Sequence, residues 1–90
     1  MANIKPQYQD VISSVSELSR VRLIRLANAS ADESVQKSFL MQDDFFYGVE
    51  FRLGPFRTVW LIGSDVIEVF RGKDQIDLIY LRPESVRLAA

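Results

Sequence analysis

The spacing of apolar positions changes half-way along the chain. Between Pro6 and Ala29, Tyr8, Val11, Ile12, Val15, Leu18, Leu26 and Ala29 fall on one side at about 3.6 residues per turn, which predicts an amphipathic helix. Pro6 suits the first turn, where its missing N–H costs nothing. Val21 and Ile24 lie off the stripe and Arg22 and Arg25 sit near it, so "RVRLIRLA" (residues 20–27) can also be read as a distorted last turn or a strand; helix is preferred. Asn28 is a left-handed C-terminal stop. Ser30-Ala31-Asp32-Glu33 has the form of a capping box, which predicts a second helix with Val35 and Phe39 on its buried side. That helix should end near Asp43-Asp44, whose charges suit a helix C-terminus badly.

From Tyr47 onward the period is two. Gly54-Pro55, Gly63-Ser64 and Gly72-Lys73 recur every nine residues, each with glycine first. A type II′ hairpin demands positive φ at its first central residue, so two turn residues and seven strand residues make up the step. Four strands follow, roughly 47–53, 56–62, 65–71 and 74–81. The expected fold is α+β: two N-terminal helices packed on one face of a four-stranded antiparallel β-meander. Residues 1–82 form the domain and 83–90 a flexible C-terminal tail. The Gly-x-Asp echo at 63–65 and 72–74 also resembles a calcium-binding β-roll. Such rolls repeat Gly-Gly-x-Gly-x-Asp over at least about three copies, and here each unit has one glycine and only two carry the aspartate. The glycines are turns, and added calcium should leave the melting temperature unchanged.

Two-residue turns fix cross-strand partners by arithmetic. One face then collects Tyr47, Val49, Phe51, Leu53, Phe56, Thr58, Trp60, Ile62, Ile67, Val69, Ile76, Leu78 and Tyr80 as the core. The opposite face falls into rows. Gly48, Leu61, Val66 and Ile79 make an apolar row with Leu81 beside it. Glu50, Val59, Glu68 and Asp77 make an acidic row, and Arg52, Arg57, Phe70 and Gln75 a basic and aromatic one. A face kept only for solubility would be more uniformly polar, and adjacent apolar side chains on an outer face mark association. Glu68 would stand opposite Asp77, and Arg52 opposite Arg57, which is unfavourable within one chain. A two-fold partner laying acidic row on basic row would relieve both. Screening, a diagonal Arg57–Glu68 contact, or a weak hard-cation site at Glu68 and Asp77 are the competing accounts.

Composition narrows the chemistry. Ninety residues with 48% apolar and 11% aromatic content suffice for one cored domain. The absence of cysteine removes disulfides and thiolate chemistry, and the absence of histidine removes the commonest general base and transition-metal ligand. A net charge of −1 exerts no long-range pull on nucleic acid or an anionic membrane. No apolar run approaches the roughly 20 residues of a membrane span. "MANIKPQYQD" lacks the apolar stretch of a secretory signal, so a cytoplasmic, reducing compartment is expected. No nucleophile elbow, phosphate loop or dinucleotide fingerprint is present, and no catalytic, cofactor-binding or metal-binding residue is assigned.

The functional expectation is a non-catalytic protein-interaction domain. It docks through Leu61, Val66, Ile79, Leu81, Phe70, Arg52, Arg57, Glu68 and Asp77, to a second copy as a homodimer or to another protein. The alternative is a nucleic-acid-binding module using Arg20, Arg22 and Arg25, which carry no acid among them; Phe70 alone is too little for a base-stacking platform.

Overall fold

The computed structural model describes residues 6–81. One helix, α1 (Pro6–Ala27), precedes five strands: β1 (Gln36–Gln42), β2 (Phe45–Leu53), β3 (Phe56–Leu61), β4 (Val66–Arg71) and β5 (Asp74–Tyr80). The strands form a single antiparallel sheet in chain order. The α+β class and the meander hold, but the expected two helices and four strands are corrected to one helix and five strands. The tail expected at 83–90 lies outside the described residues.

α1 runs from the expected proline and stops where expected, so residues 20–27 are helix. Asn28 takes φ 53°, its N–H donates to the Arg25 carbonyl at 3.2 Å, and the Ala29 N–H donates to Ile24 at 2.9 Å. The two bonds together are a Schellman closure. The buried stripe is Val11, Ile12, Val15, Ser19 and Leu23. Successive steps of four thus carry it through a serine and onto Leu23, which the apolar pattern alone passes over.

The second helix is absent because Ser30 does not cap. Its carbonyl accepts from the Glu33 N–H at 3.0 Å, and its hydroxyl bonds the Asp32 carboxylate instead of a backbone amide. Residues 30–33 are therefore a tight turn. That hydrogen bond, more than any other influence, holds the Asp32 carboxyl below its ordinary pKa. Arg20 clamps the same turn to the helix, donating to the Glu33 carbonyl at 2.9 Å and to the Ala31 carbonyl.

Asp43-Asp44 is a hairpin turn, not a helix end. Gln42 pairs with Phe45, and both aspartates take positive φ (50° and 69°), as a type I′ turn requires. Asparagine followed by glycine holds that conformation with less strain. Asp43→Asn combined with Asp44→Gly should raise stability by about 1 kcal/mol, measured by urea denaturation with an unchanged m-value.

Gly54 and Gly72 sit at positive φ while Pro55 and Lys73 do not, the arrangement expected of type II′ turns. The connection at Gly63 is longer than expected. The Ser64 N–H closes on the Leu61 carbonyl at 2.9 Å, with Gly63 third in that turn at φ 87°. The Trp60 indole N–H holds the loop by donating to the Ser64 carbonyl at 2.9 Å. The β3–β4 register is still the expected one, with Thr58 opposite Val69.

α1 covers β2 and β3, and the core lies between them: Val11, Ile12, Val15 and Leu23 against Val49, Phe51, Trp60, Ile67 and Leu81. Two bulges disturb the alternation. On β2 the pairing moves from Leu40–Gly48 to Met41–Phe46, leaving Tyr47 as the extra residue. On β5 it moves from Phe70–Gln75 to Val69–Asp77, leaving Ile76 extra. Beyond each bulge the strand's faces exchange. The core face expected across β3 and β4 is therefore present, whereas Tyr47, Ile76 and Tyr80 are exposed and Leu78 crosses to the other side.

Candidate functional site

Among the described residues, one helix over a five-stranded sheet leaves the second face of the sheet uncovered. The register builds that face in three rows; the second and third are paired across all five strands, and the first is paired as Leu40–Gly48–Leu61 and as Val66–Tyr80, on either side of the β3–β4 loop. The first is Leu40, Gly48, Leu61, Val66 and Tyr80; the second Ser38, Glu50, Val59, Glu68 and Leu78; the third Gln36, Arg52, Arg57, Phe70 and Gln75. Seven of these are large and apolar, against an expectation of polar residues on an open antiparallel face. Leu61 and Tyr80 are 41% and 71% exposed, while Leu40, Val59, Val66 and Leu78 are half-buried.

Gly48 sets the relief of the apolar row. A Cβ there would lie 2.5 Å from the Trp60 carbonyl, 3.1 Å from Leu61 Cδ2 and 3.3 Å from Leu40 Cδ1. The two leucines close over the glycine, and the row is continuous because that position has no side chain.

The basic row is held together internally. Glu50, largely buried, accepts from Arg52 at 3.2 Å and Arg57 at 3.3 Å, so the two arginines facing one another share a carboxylate. The Arg57 guanidinium also lies 4.1 Å from the centre of the Phe70 ring and donates through Nε to the Gly72 carbonyl at 3.3 Å. A planar cation stacked on an aromatic face and bonded at its edge is strongly positioned. A shallow cleft of about 230 Å³ opens beside it between the hairpin ends, lined by Arg52, Gly54, Pro55, Phe56, Arg57 and Gly72.

Leu61, Val66, Phe70, Arg52, Arg57 and Glu68 are brought together on the outer face, as the sequence suggests. Ile79, Leu81 and Asp77 are not. The β5 bulge turns Ile79 inward against Ile67, and Leu81 is buried with its N–H donating to the Asp65 carbonyl at 2.8 Å. Asp77 stands on the helix side, where it forms an ion pair with Arg22. The Leu78 N–H, at 2.8 Å, lowers the Asp77 pKa most, and Arg22 adds to it. Glu68 and Asp77 are thus on opposite faces, so they neither repel each other nor make a cation site. Among the described residues no three acidic side chains gather in a way that could hold a metal ion.

The residues that sequence reasoning misses are Leu40, Leu78 and Tyr80. Leu40 lies in a segment that reads as helix, and the other two follow a bulge. Tyr80 nevertheless carries a legible signal, because a tyrosine near a strand end with no partner for its hydroxyl is poorly suited to a core.

Two of the three clustered arginines have structural partners: Arg20 fixes the 30–33 turn and Arg22 pairs with Asp77. Arg25 remains exposed in the last turn of α1. No helix among the described residues is long and apolar enough to cross a membrane.

No protein-family model, curated protein or solved structure matches the chain.

Proposed function

We propose that this chain is a small non-catalytic protein-interaction domain that forms a homodimer through the outer face of its sheet. The observation that carries the reading is the apolar set Leu40, Leu61, Val66 and Tyr80 at one end of the face α1 leaves open, with Leu40 and Leu61 flanking Gly48 and Val66 paired with Tyr80. Each holds apolar area in water, at about 25 cal/mol per Å², which a second copy of the same row would remove. The charges have a smaller part than the sequence suggests. Glu50 already neutralises Arg52 and Arg57 within the chain, and Asp77 lies on the other face. Burial of the apolar row therefore supplies the affinity. A protein partner is also favoured over nucleic acid, because Arg20 and Arg22 are held in intramolecular contacts.

Val66→Glu should dissociate the dimer while leaving the fold intact, since Val66 points away from the helix. Tyr80→Glu, at a position 71% exposed, should do the same without disturbing packing. Added salt should weaken the dimer only modestly, because exposed ion pairs are worth at most about 1 kcal/mol. Sedimentation of the three proteins over a range of concentrations, with melting curves to check folding, tests this. A wild type that is monomeric at high micromolar concentration would show the dimer reading to be wrong.

A further inference from the structure

The two edges of the sheet are not alike. On β5 the extra bulge residue, Ile76, belongs to the edge strand itself, between Asp74 and Asp77. A bulge and inserted charge are the usual ways an edge is protected from further pairing. On β1 the neighbouring bulge places its extra residue, Tyr47, on β2, so Gln36–Gln42 runs unbroken along its open side. Such a strand offers a row of unpaired backbone donors and acceptors.

The helix side of this strand is also open. Phe39 and Met41 remain 44% and 43% exposed. A cavity of about 260 Å³ lies between Gln9, Ile12 and Ser13 of α1 and Lys37 and Phe39 of β1. The Lys37 ammonium stands 4.9 Å from the centre of the Phe39 ring and 6.0 Å from that of Phe51. Among the described residues no carboxylate lies within ion-pair distance of it.

We propose that β1 and the adjoining cavity capture an extended peptide from another protein as a sixth strand. Main-chain bonds to a free edge give such a complex its affinity, and pockets for alternate side chains give it specificity. Met41, Phe39 and Lys37 share a face at two-residue steps, and an antiparallel peptide meets them in that order. The recognised sequence is therefore apolar, any, apolar, any, acidic: apolar groups over Met41 and in the Phe39–Ile12 cavity, then a carboxylate at Lys37. Charge selects this occupant over a second copy, because β1 itself (QKSFLMQ) carries no carboxylate and cannot supply the anion that fits at Lys37. Lys37, Phe39 and Met41 lie on the opposite face of β1 from Leu40, so the two proposals rest on different side chains.

The test is a titration of the isotope-labelled full chain, followed by amide shifts, with two synthetic peptides. One is Ser-Val-Thr-Val-Thr-Glu-Ser, and the other has Lys in place of Glu. The Glu peptide should shift amides of residues 36–42 and 9–13 and bind about three- to fivefold more tightly than the Lys peptide. Lys37→Glu, at an exposed position, should reverse the preference with an unchanged melting curve. The proposal is overturned if neither peptide shifts these amides at millimolar concentration, or if the two bind equally. Shifts centred on Leu61, Val66 and Tyr80 would overturn it as well. So would concentration-dependent shifts of residues 36–42 and 9–13 without peptide that leave Leu61, Val66 and Tyr80 unmoved, since these would identify a second copy at the β1 edge as the occupant.

Discussion

Gly48→Ala should cost the domain about 2–3 kcal/mol and lower its melting temperature by about 10–20 °C. The expectation rests on one contact. The added methyl carbon would sit 2.5 Å from the carbonyl oxygen of Trp60, which is backbone of the central strand and cannot rotate away. Leu61 and Leu40 close the other directions at 3.1 and 3.3 Å. Gly48 does not adopt positive φ, so the penalty is steric, and alanine's lower unfolded-state entropy offsets little of it. Gly72→Ala is the informative comparison. It meets open space but holds φ 61° as the first central residue of a type II′ turn, so its penalty is backbone strain with no steric clash. Thermal unfolding of both variants separates the mechanisms. A Gly48→Ala protein melting within a few degrees of wild type would show that β2 and β3 can part at no great cost.

A change in the opposite direction is expected at the helix–sheet interface. Ser19 and Thr58 are fully buried, and neither hydroxyl has a hydrogen-bond partner among the described residues. An unsatisfied buried hydroxyl costs about 1–3 kcal/mol. Ser19→Ala removes one and adds helix propensity; Thr58→Val removes the other and keeps the β-branched shape that suits the central strand. The double variant should gain about 2 kcal/mol, seen as an increase in the urea midpoint at constant slope. A lower midpoint would mean that the hydroxyls are satisfied after all, by water or by a relaxed backbone carbonyl.

These positions also mark where the fold could be read in the sequence and where it could not. Thr58, Trp60, Ile67 and Val69 were legible because glycine-led turns fixed β3 and β4 by counting, and counting survives even though the Gly63 loop is longer than two residues. β1 was not legible. In QKSFLMQ apolar residues occur on both faces, since Phe39 and Met41 face the cavity while Leu40 faces the outer row, so no alternation marks a strand. The turn before it imitates a capping box, and the turn after it uses two aspartates where Asn-Gly would have announced a hairpin. The bulges at Tyr47 and Ile76 have no local signature, because an inserted residue answers to packing across the sheet. Their consequence for the candidate site is direct. Each converts one set of side chains into the other, which is why Leu78 and Tyr80 replaced Asp77 and Ile79 on the outer face.

The meander has a kinetic meaning as well. Every strand pairs only with its neighbour in the chain, across connections of two to four residues, so no sheet contact waits on closure of a long loop. Low contact order of this kind favours rapid folding. The one distant event is the docking of α1 onto β2 and β3, which must bring Val15 and Leu23 across the intervening β1 segment. The hairpins centred on Gly54 and Gly72 should form early. Helix docking, with Arg20 and Arg22 locking the 30–33 turn and β5, should complete the rate-limiting step.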